Sequence, residues 1–353
     1  MNWRDYCKKV TPYTPGEQPK INNLIKLNTN ENPYPPSSLV VEELKKLTED
    51  YDCLRRYPKP NCDMLEEALS EYTGLSREHI FTGIGSDDVI CQAFTTFFNS
   101  SLPVLFADIT YSFYEVWAEL VGFPVELVPV KDDFSIDIND YRKENGGIVI
   151  ANPNAPTGMA LTLNQIEEVL KFNKDSVVIV DEAYVDFGGQ SAISLIDKYD
   201  NLLVTQTYSK SRSLAGLRIG MAYGNPEIIS KIKAVKFSTN SYTLNEPALR
   251  IASAVLKDEK YFRDCCQKVM DTRAWTVEEF KKLNFSVLDS KTNFVFVSHK
   301  NIHATDIYKY LRENGILVRH FNAERINNYL RVSIGTDEEM KALFKVLGEM
   351  KEI

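Results

Sequence analysis

The feature that most restricts how this chain can fold is a series of six short apolar segments. They are Val104-Leu-Phe-Ala107, Val125-Glu-Leu-Val-Pro-Val130, Ile148-Val-Ile150, Val177-Val-Ile-Val180, Leu202-Leu-Val204 and Ile219-Gly-Met-Ala222. Three of them are rich in β-branched residues, and runs without polar alternation suit strands covered on both faces. Turns and helical spacing separate them. The pattern predicts an α/β fold with a mostly parallel sheet between two helix layers. Thr162-x-x-Gln165 predicts a capped helix start after the third segment, with Ile166, Val169 and Leu170 as its apolar stripe.

The two ends of the chain read differently. Pro, Asn and Thr crowd Thr11-Pro-Tyr-Thr-Pro-Gly16 and Asn28-Thr-Asn-Glu-Asn-Pro-Tyr-Pro-Pro36, which excludes a long helix or a central strand. The start is therefore expected to be an extended arm with no core of its own, lying on this subunit or on a partner. Two helices follow, one with Val40, Val41, Leu44 and Leu47, the other with Leu65, Ala68, Leu69 and Tyr72. The basic, aromatic loop Arg55-Arg-Tyr-Pro58 lies between them. Beyond about residue 250 come long helices and a few strands, Phe285–Leu288, Asn293–Val297, Leu317–Arg319 and Leu330–Ile334. A helix is expected from Thr305 to Glu313, and Thr336-x-x-Glu339 caps a last one. The expected organisation is an arm (1–30), a large three-layer α/β/α domain (31–250) and a smaller α+β domain (251–353).

Composition narrows the function. A chain of 353 residues has room for two domains, and its formal charge of -8 argues against a broad nucleic-acid or anionic-membrane surface. No apolar run approaches the roughly 20 residues of a membrane span, and the start lacks the apolar segment of a signal peptide, so a cytoplasmic protein is expected. The six cysteines form neither a zinc pattern nor a disulfide framework, and free thiols are expected. The four histidines include no HExxH; His299 and His303 read as a solvated loop and a helix start, so no metal is expected.

Candidate chemistry gathers where the apolar segments end. Lys210 follows Leu202–Val204, where functional side chains leave an α/β sheet, and an amine withdrawn from water there can attack a carbonyl. Ser209 and Arg218 can hold an anion beside it, and Gly216 and Gly220 allow close backbone approach. Asp181, with Tyr184, follows Val177–Val180; a buried carboxylate needs a cationic partner. Asn152-Pro-Asn-Ala-Pro-Thr-Gly158 is a rigid turn that can aim the Asn154 amide into a cleft. Thr82-Gly-Ile-Gly-Ser-Asp-Asp88 runs from a short strand into the helix carrying Val89, Ile90 and Phe94, and glycines opening a helix expose amide N–H groups that can bind a phosphate. Singly these read as a basic loop, a tight turn and an ordinary glycine-rich connection. Together they supply an amine for an aldehyde, an acid for a ring nitrogen, donors for a phenolic oxygen and a cradle for a phosphate. That combination points to pyridoxal 5′-phosphate.

The order Asn, Asp, Tyr, Lys, Arg resembles the fold-type I, aspartate-aminotransferase-like enzymes. More narrowly, five stretches resemble the histidinol-phosphate aminotransferases across nearly the whole chain. They are Leu27–Pro36, Arg56–Asn61, Thr110–Tyr114, Tyr208–Gly220 and Tyr329-Leu-Arg-Val-Ser-Ile-Gly335. The resemblance implies that Lys210 carries the cofactor, Asp181 pairs with its ring nitrogen, and Tyr184 and Asn154 bond its phenolic oxygen. It implies that Tyr111 stacks on the ring and that Ser86, Asp87, Ser209 and Arg218 surround the phosphate. Tyr57 is implied to reach that phosphate from the other subunit of a homodimer, and Arg319, Arg331 and Tyr13 to bind the substrate's phosphate. The chain departs from the family pattern at Ala155, Ile109 and Ser211-Arg-Ser213, where Arg212 adds a charge near the cofactor loop.

The implied reaction is a ping-pong transamination from histidinol phosphate to 2-oxoglutarate, giving glutamate, within histidine biosynthesis. The same motifs suit a threonine-phosphate decarboxylase or a broad aromatic aminotransferase. A ligand-sensing domain of a transcription regulator is a further reading, though it needs a DNA-binding domain and salt-sensitive DNA binding.

Overall fold

The structure is a computed structural model that describes residues 2–20 and 23–350. Strand β1 (Ile25–Lys26) ends the arm, and helices α1 (Leu39–Glu49) and α2 (Asp63–Thr73) follow. Then come β2 (Ile80–Ile84), α3 (Gly85–Phe97), β3 (Val104–Ala107), α4 (Phe113–Val121), β4 (Val125–Val128) and β5 (Gly147–Ala151). Helix α5 (Leu163–Phe172) leads to β6 (Val178–Asp181), β7 (Leu202–Thr207) and β8 (Ile219–Gly224). The remainder is α6 (Pro226–Thr239), α7 (Glu246–Val255), α8 (Glu259–Lys282), β9 (Phe285–Val287), β10 (Phe294–His299), α9 (Ala304–Glu313), β11 (Ile316–Leu317), β12 (Arg319–His320), β13 (Leu330–Ser333) and α10 (Asp337–Gly348).

Seven strands form one sheet in the order β2-β8-β7-β6-β5-β3-β4. Its centre is parallel, while β8 runs antiparallel to both β2 and β7. Both faces are covered at the centre of the sheet, as the unalternating segments predict, whereas the edge strand β4 exposes Glu126 and Leu127. Ile148, Ile150, Val178, Val180, Leu202 and Val204 pack into one core with α2, α5 and α7. Val149, Ile179 and Leu203 face the other way, into a core with α3, α4 and α6. The Thr162 and Thr336 capping boxes both form.

A second sheet, β12-β13-β10-β9, packs with α8, α9 and α10 around a separate core. The predicted strand Leu317–Arg319 divides in two: β11 pairs with β1 of the arm, whereas β12 turns to pair with β13. The arm is also less peripheral than expected. Leu27 is buried in the small sheet's core, and Asn28 and Asn30 are buried beside it. His299 corrects the reading of a solvated loop: it lies buried on β10, edge-on to Phe285, its Nδ1 accepting from the Ile302 N–H at 3.0 Å. His303 does open a helix, as the N-cap of α9. All six cysteines are free, and no helix among the described residues is long and apolar enough to cross a membrane.

Candidate active site

Ladder register brings the strand ends to a common level. Ala151 pairs with Asp181, Asp181 with Thr205, and Thr207 with Gly220. Beyond them opens a cavity of about 370 Å³, outside the carboxyl ends of the parallel strands where α/β sheets bind ligands. Lys210, Asp181, Tyr184, Ser86, Asp87, Ser209, Arg218 and Tyr111 line it, together with Tyr13, Arg319 and Arg331. Among the described residues no group of His, Cys, Asp or Glu is arranged to hold a metal.

Asp181 sits on the floor, 6% exposed. Its Oδ2 accepts from the Tyr114 hydroxyl at 2.7 Å, and its Oδ1 from the Ala183 N–H and the Thr205 hydroxyl, both at 3.3 Å. Burial pushes its carboxyl up to about 6, against the opposing pull of these donors. No Lys, Arg or His among the described residues forms an ion pair with it. A buried acid with neutral donors and no cation is built to receive one, and a protonated pyridine nitrogen meets that need.

Lys210 Nζ donates to the Thr29 carbonyl at 3.1 Å and lies 5.6 Å from the centroid of the Tyr184 ring. The Tyr184 hydroxyl accepts from Asn30 Nδ2 at 3.0 Å. The anion cradle is a close crossing of backbones. A Cβ on Gly220 would fall 2.2 Å from the carbonyl carbon of Gly85, and one on Gly85 would fall 2.6 Å from Arg218 Nη2. Glycine at both positions lets the guanidinium reach the start of α3, where it pairs with Asp87 at 3.0 Å. Tyr111 donates to Asp87 as well, at 3.1 Å. Gly216 meets nothing within 4 Å, so the close approach expected there is absent.

At the other end, Arg331 Nη2 donates to the Asn28 carbonyl at 3.1 Å, and its Nε is buried without a partner. Arg319 Nη2 donates to the Thr14 carbonyl at 3.3 Å. Tyr13 stacks on Phe113 with centroids 4.6 Å apart. The arm is held on both sides. The Thr11 N–H bonds Glu119 on α4 at 2.9 Å, and Glu17 pairs with Arg312 on α9 at 3.1 Å and with the Tyr308 hydroxyl.

One expected site residue stands elsewhere, and another, Tyr57, is expected at this cavity only from the other subunit of a dimer. Asn154 does not line the cavity: both protons of its Nδ2 are engaged, by the Ile109 carbonyl beyond β3 at 2.9 Å and by Thr157 Oγ1 within the turn at 3.0 Å. Tyr57 is 81% exposed, stacks on Tyr242 and does not line this cavity. Arg212 does not line the cavity; its guanidinium lies 4.0 Å from the Phe262 ring centroid. Sequence reasoning missed Tyr114, Thr205 and Asn30. The motif Thr110–Tyr114 contains the first, three residues beyond Tyr111, but only the packing shows that its hydroxyl meets Asp181.

Comparison with known proteins places this geometry. Residues 22–347 match the family described as aminotransferase class I and II. The chain is 52% identical over 347 residues to a histidinol-phosphate aminotransferase of Clostridium acetobutylicum, covering 98% of each chain. It is 52% identical over 337 residues to one from Brachyspira hyodysenteriae, covering 95% of each. Its fold matches the crystal structure of a histidinol-phosphate aminotransferase from Sinorhizobium meliloti in complex with pyridoxal-5′-phosphate. The TM-score is 0.84 at 23% identity, with 92% of this chain and 90% of that one covered. The chain belongs to the class I and II aminotransferase family and, within it, to the histidinol-phosphate aminotransferases.

Proposed function

We propose that this protein is a pyridoxal-phosphate-dependent transaminase that transfers nitrogen from histidinol phosphate to 2-oxoglutarate in histidine biosynthesis. The observation that carries the reading is a single cavity lined by Lys210 and Asp181 together with Arg319 and Arg331. In this reading Lys210 holds the cofactor's aldehyde carbon, Asp181 its ring nitrogen, Tyr184 its phenolic oxygen and Tyr111 its ring face. Ser86, Asp87, Ser209 and Arg218 hold its phosphate at the start of α3, and Asn154 supports the site through the turn it locks.

The bound cofactor supplies an electron-withdrawing ring that stabilises negative charge at the substrate's α-carbon. Lys210 Nζ is the base that takes the α-proton and the acid that returns a proton. Asp181, ionised against a ring cation, keeps that ring protonated. Arg319 and Arg331 bind the phosphate ester of the donor and then a carboxylate of 2-oxoglutarate, since both present anionic oxygens to a planar fork. Tyr13 closes the cavity on that side.

The reading includes a cytoplasmic homodimer and the division into an arm (1–30), a large domain (31–250) and a small domain (251–353). The separate sheets and cores support two domains, although α7 carries Ile251, Ala252 and Val255 into the core of the large one, and Leu27 of the arm enters the core of the small one. Val41, Leu44, Leu54, Tyr57 and Tyr242 are all exposed, an apolar set that supports a covered face. Tyr57 then serves the partner's cavity.

Purified protein loaded with pyridoxal phosphate and given 2-oxoglutarate tests the reading. Glutamate should form with histidinol phosphate at a far higher kcat/KM than with phenylalanine or phosphothreonine. Carbon dioxide released from phosphothreonine in excess of glutamate would overturn it.

A further inference from the structure

The direction of the Tyr184 hydroxyl is set from another strand. Asn30 is 1% exposed and adopts a left-handed backbone, φ 58°, which Asn tolerates better than most residues. Ser333, at the end of β13, is 2% exposed. Its Oγ accepts the Asn30 backbone N–H at 2.9 Å and donates its one proton to Asn30 Oδ1 at 2.8 Å. Turning the Asn30 amide round would put two donors on that oxygen and leave the buried hydroxyl proton without the acceptor it now has. Ser333 therefore fixes which end of the amide faces which neighbour. Asn293 Nδ2 holds the Asn30 carbonyl at 2.9 Å, so the backbone is pinned as well.

The consequence falls on Tyr184. Asn30 Nδ2 donates to its oxygen at 3.0 Å, so the tyrosine's own proton must point elsewhere, and both Tyr184 and Asn30 line the cavity beside Lys210. We propose that Asn30, oriented by Ser333, is a positioning residue that commits Tyr184 to donate its proton into the cavity. Arg331 and Ser333 lie two apart on β13 and share a face of the strand. One strand thus sets both the substrate-anion arginine and the polarity of the tyrosine. The inference rests on the cofactor reading above, because the acceptor of that proton is the cofactor's phenolic oxygen.

Asn30→Asp is the direct test, since aspartate also tolerates the left-handed backbone but can only accept. An ionised carboxylate there draws the tyrosine's proton out of the cavity. Apo-protein is titrated with pyridoxal phosphate to obtain Kd, and the loaded protein is titrated with pH to locate the midpoint of its colour change. A donor to the phenolic oxygen favours the form in which that oxygen is most negative. Losing the donor should therefore weaken binding about tenfold and raise the midpoint by about one pH unit. Tyr184→Phe should do the same, and the double variant should be no worse than Tyr184→Phe alone. Ser333→Ala frees the amide to turn and should shift the midpoint in the same direction by less, which keeps the test open if Asn30→Asp folds poorly. Wild-type values in Asn30→Asp and Ser333→Ala, or additive effects in the double variant, would overturn the inference while leaving the proposed function intact. A wild-type protein that takes up no pyridoxal phosphate would overturn both.

Discussion

The two ends of the cavity are built by different means. At the Asp181 end, neighbouring strands of one sheet supply the wall, and ladder register places Ala151, Asp181 and Thr205 side by side. At the Arg331 end, the ladder of β12 and β13 sets Arg319 opposite Arg331, and the arm, some three hundred residues away in sequence, meets them through side chain-to-carbonyl bonds such as Arg331 to Asn28 and Arg319 to Thr14. A continuous ladder moves as one body, while single hydrogen bonds can each open locally. In the proposed reading Asp181 is placed by the ladder alone, while Lys210, Arg319 and Arg331 also touch an arm held to them by single bonds.

Substitutions at each end put this contrast to work. The largest effect belongs to the sheet end. Lys210→Ala should lower kcat by about 10²–10⁴-fold for every donor, as loss of the acid and base requires; turnover within tenfold of wild type would remove Lys210 from the chemistry. At the other end, Arg331→Ala should lower kcat/KM for histidinol phosphate by about 10–100-fold, the worth of a charge-assisted bond. A non-phosphorylated aromatic donor should suffer less. Equal losses for both donors in steady-state assays would mean that the two ends are not separable.

A third test uses pH. Burial raises Asp181 to about 6 and the neighbouring Glu182 to about 7, above their unfolded values of 3.8 and 4.5. An acid raised by folding contributes stability that is complete below its unfolded pKa and is lost as pH rises through its folded one. Cofactor-free protein should therefore lose Tm between about pH 4 and pH 7. Asp181→Asn should flatten part of that slope, and pyridoxal phosphate should restore stability at the upper end by placing a cation against Asp181. Calorimetry showing a flat or rising Tm across this range would contradict the environment described for the floor. The smallest effect is expected at the arm. Glu17 and Arg312 are part-exposed, and solvent screens such an ion pair so that it contributes little. Glu17→Gln should raise KM by no more than about fivefold, without changing kcat, and the difference should shrink as salt is added.

Much of this was legible in the chain itself. Unalternating segments such as Val178–Val180 announced strands covered on both sides, and those strands pack into two opposite cores. Lys210 and Asp181 were readable because each follows such a segment, and strand ends in an α/β sheet deliver side chains to one edge. Thr162 and Thr336 announced their helices through a rule spanning only four residues. Each of these signals is local. The burial of His299 was misread because its neighbours in sequence are polar, while the partners that enclose it are not.

What the amino-acid order determined alone was therefore the layered sheet, the identity of the amine and acid at its edge, and the helix starts, because periodicity and capping act over a few residues. The tertiary structure alone decided that Tyr114 supports Asp181, that Glu17 ties the arm to α9, and that Ser333 orients Asn30 beneath Tyr184. Those contacts join residues separated by 67, 295 and 303 positions. A hydrogen bond acts over about 3 Å and depends on direction, so its partners exist only once the whole chain path has brought them together.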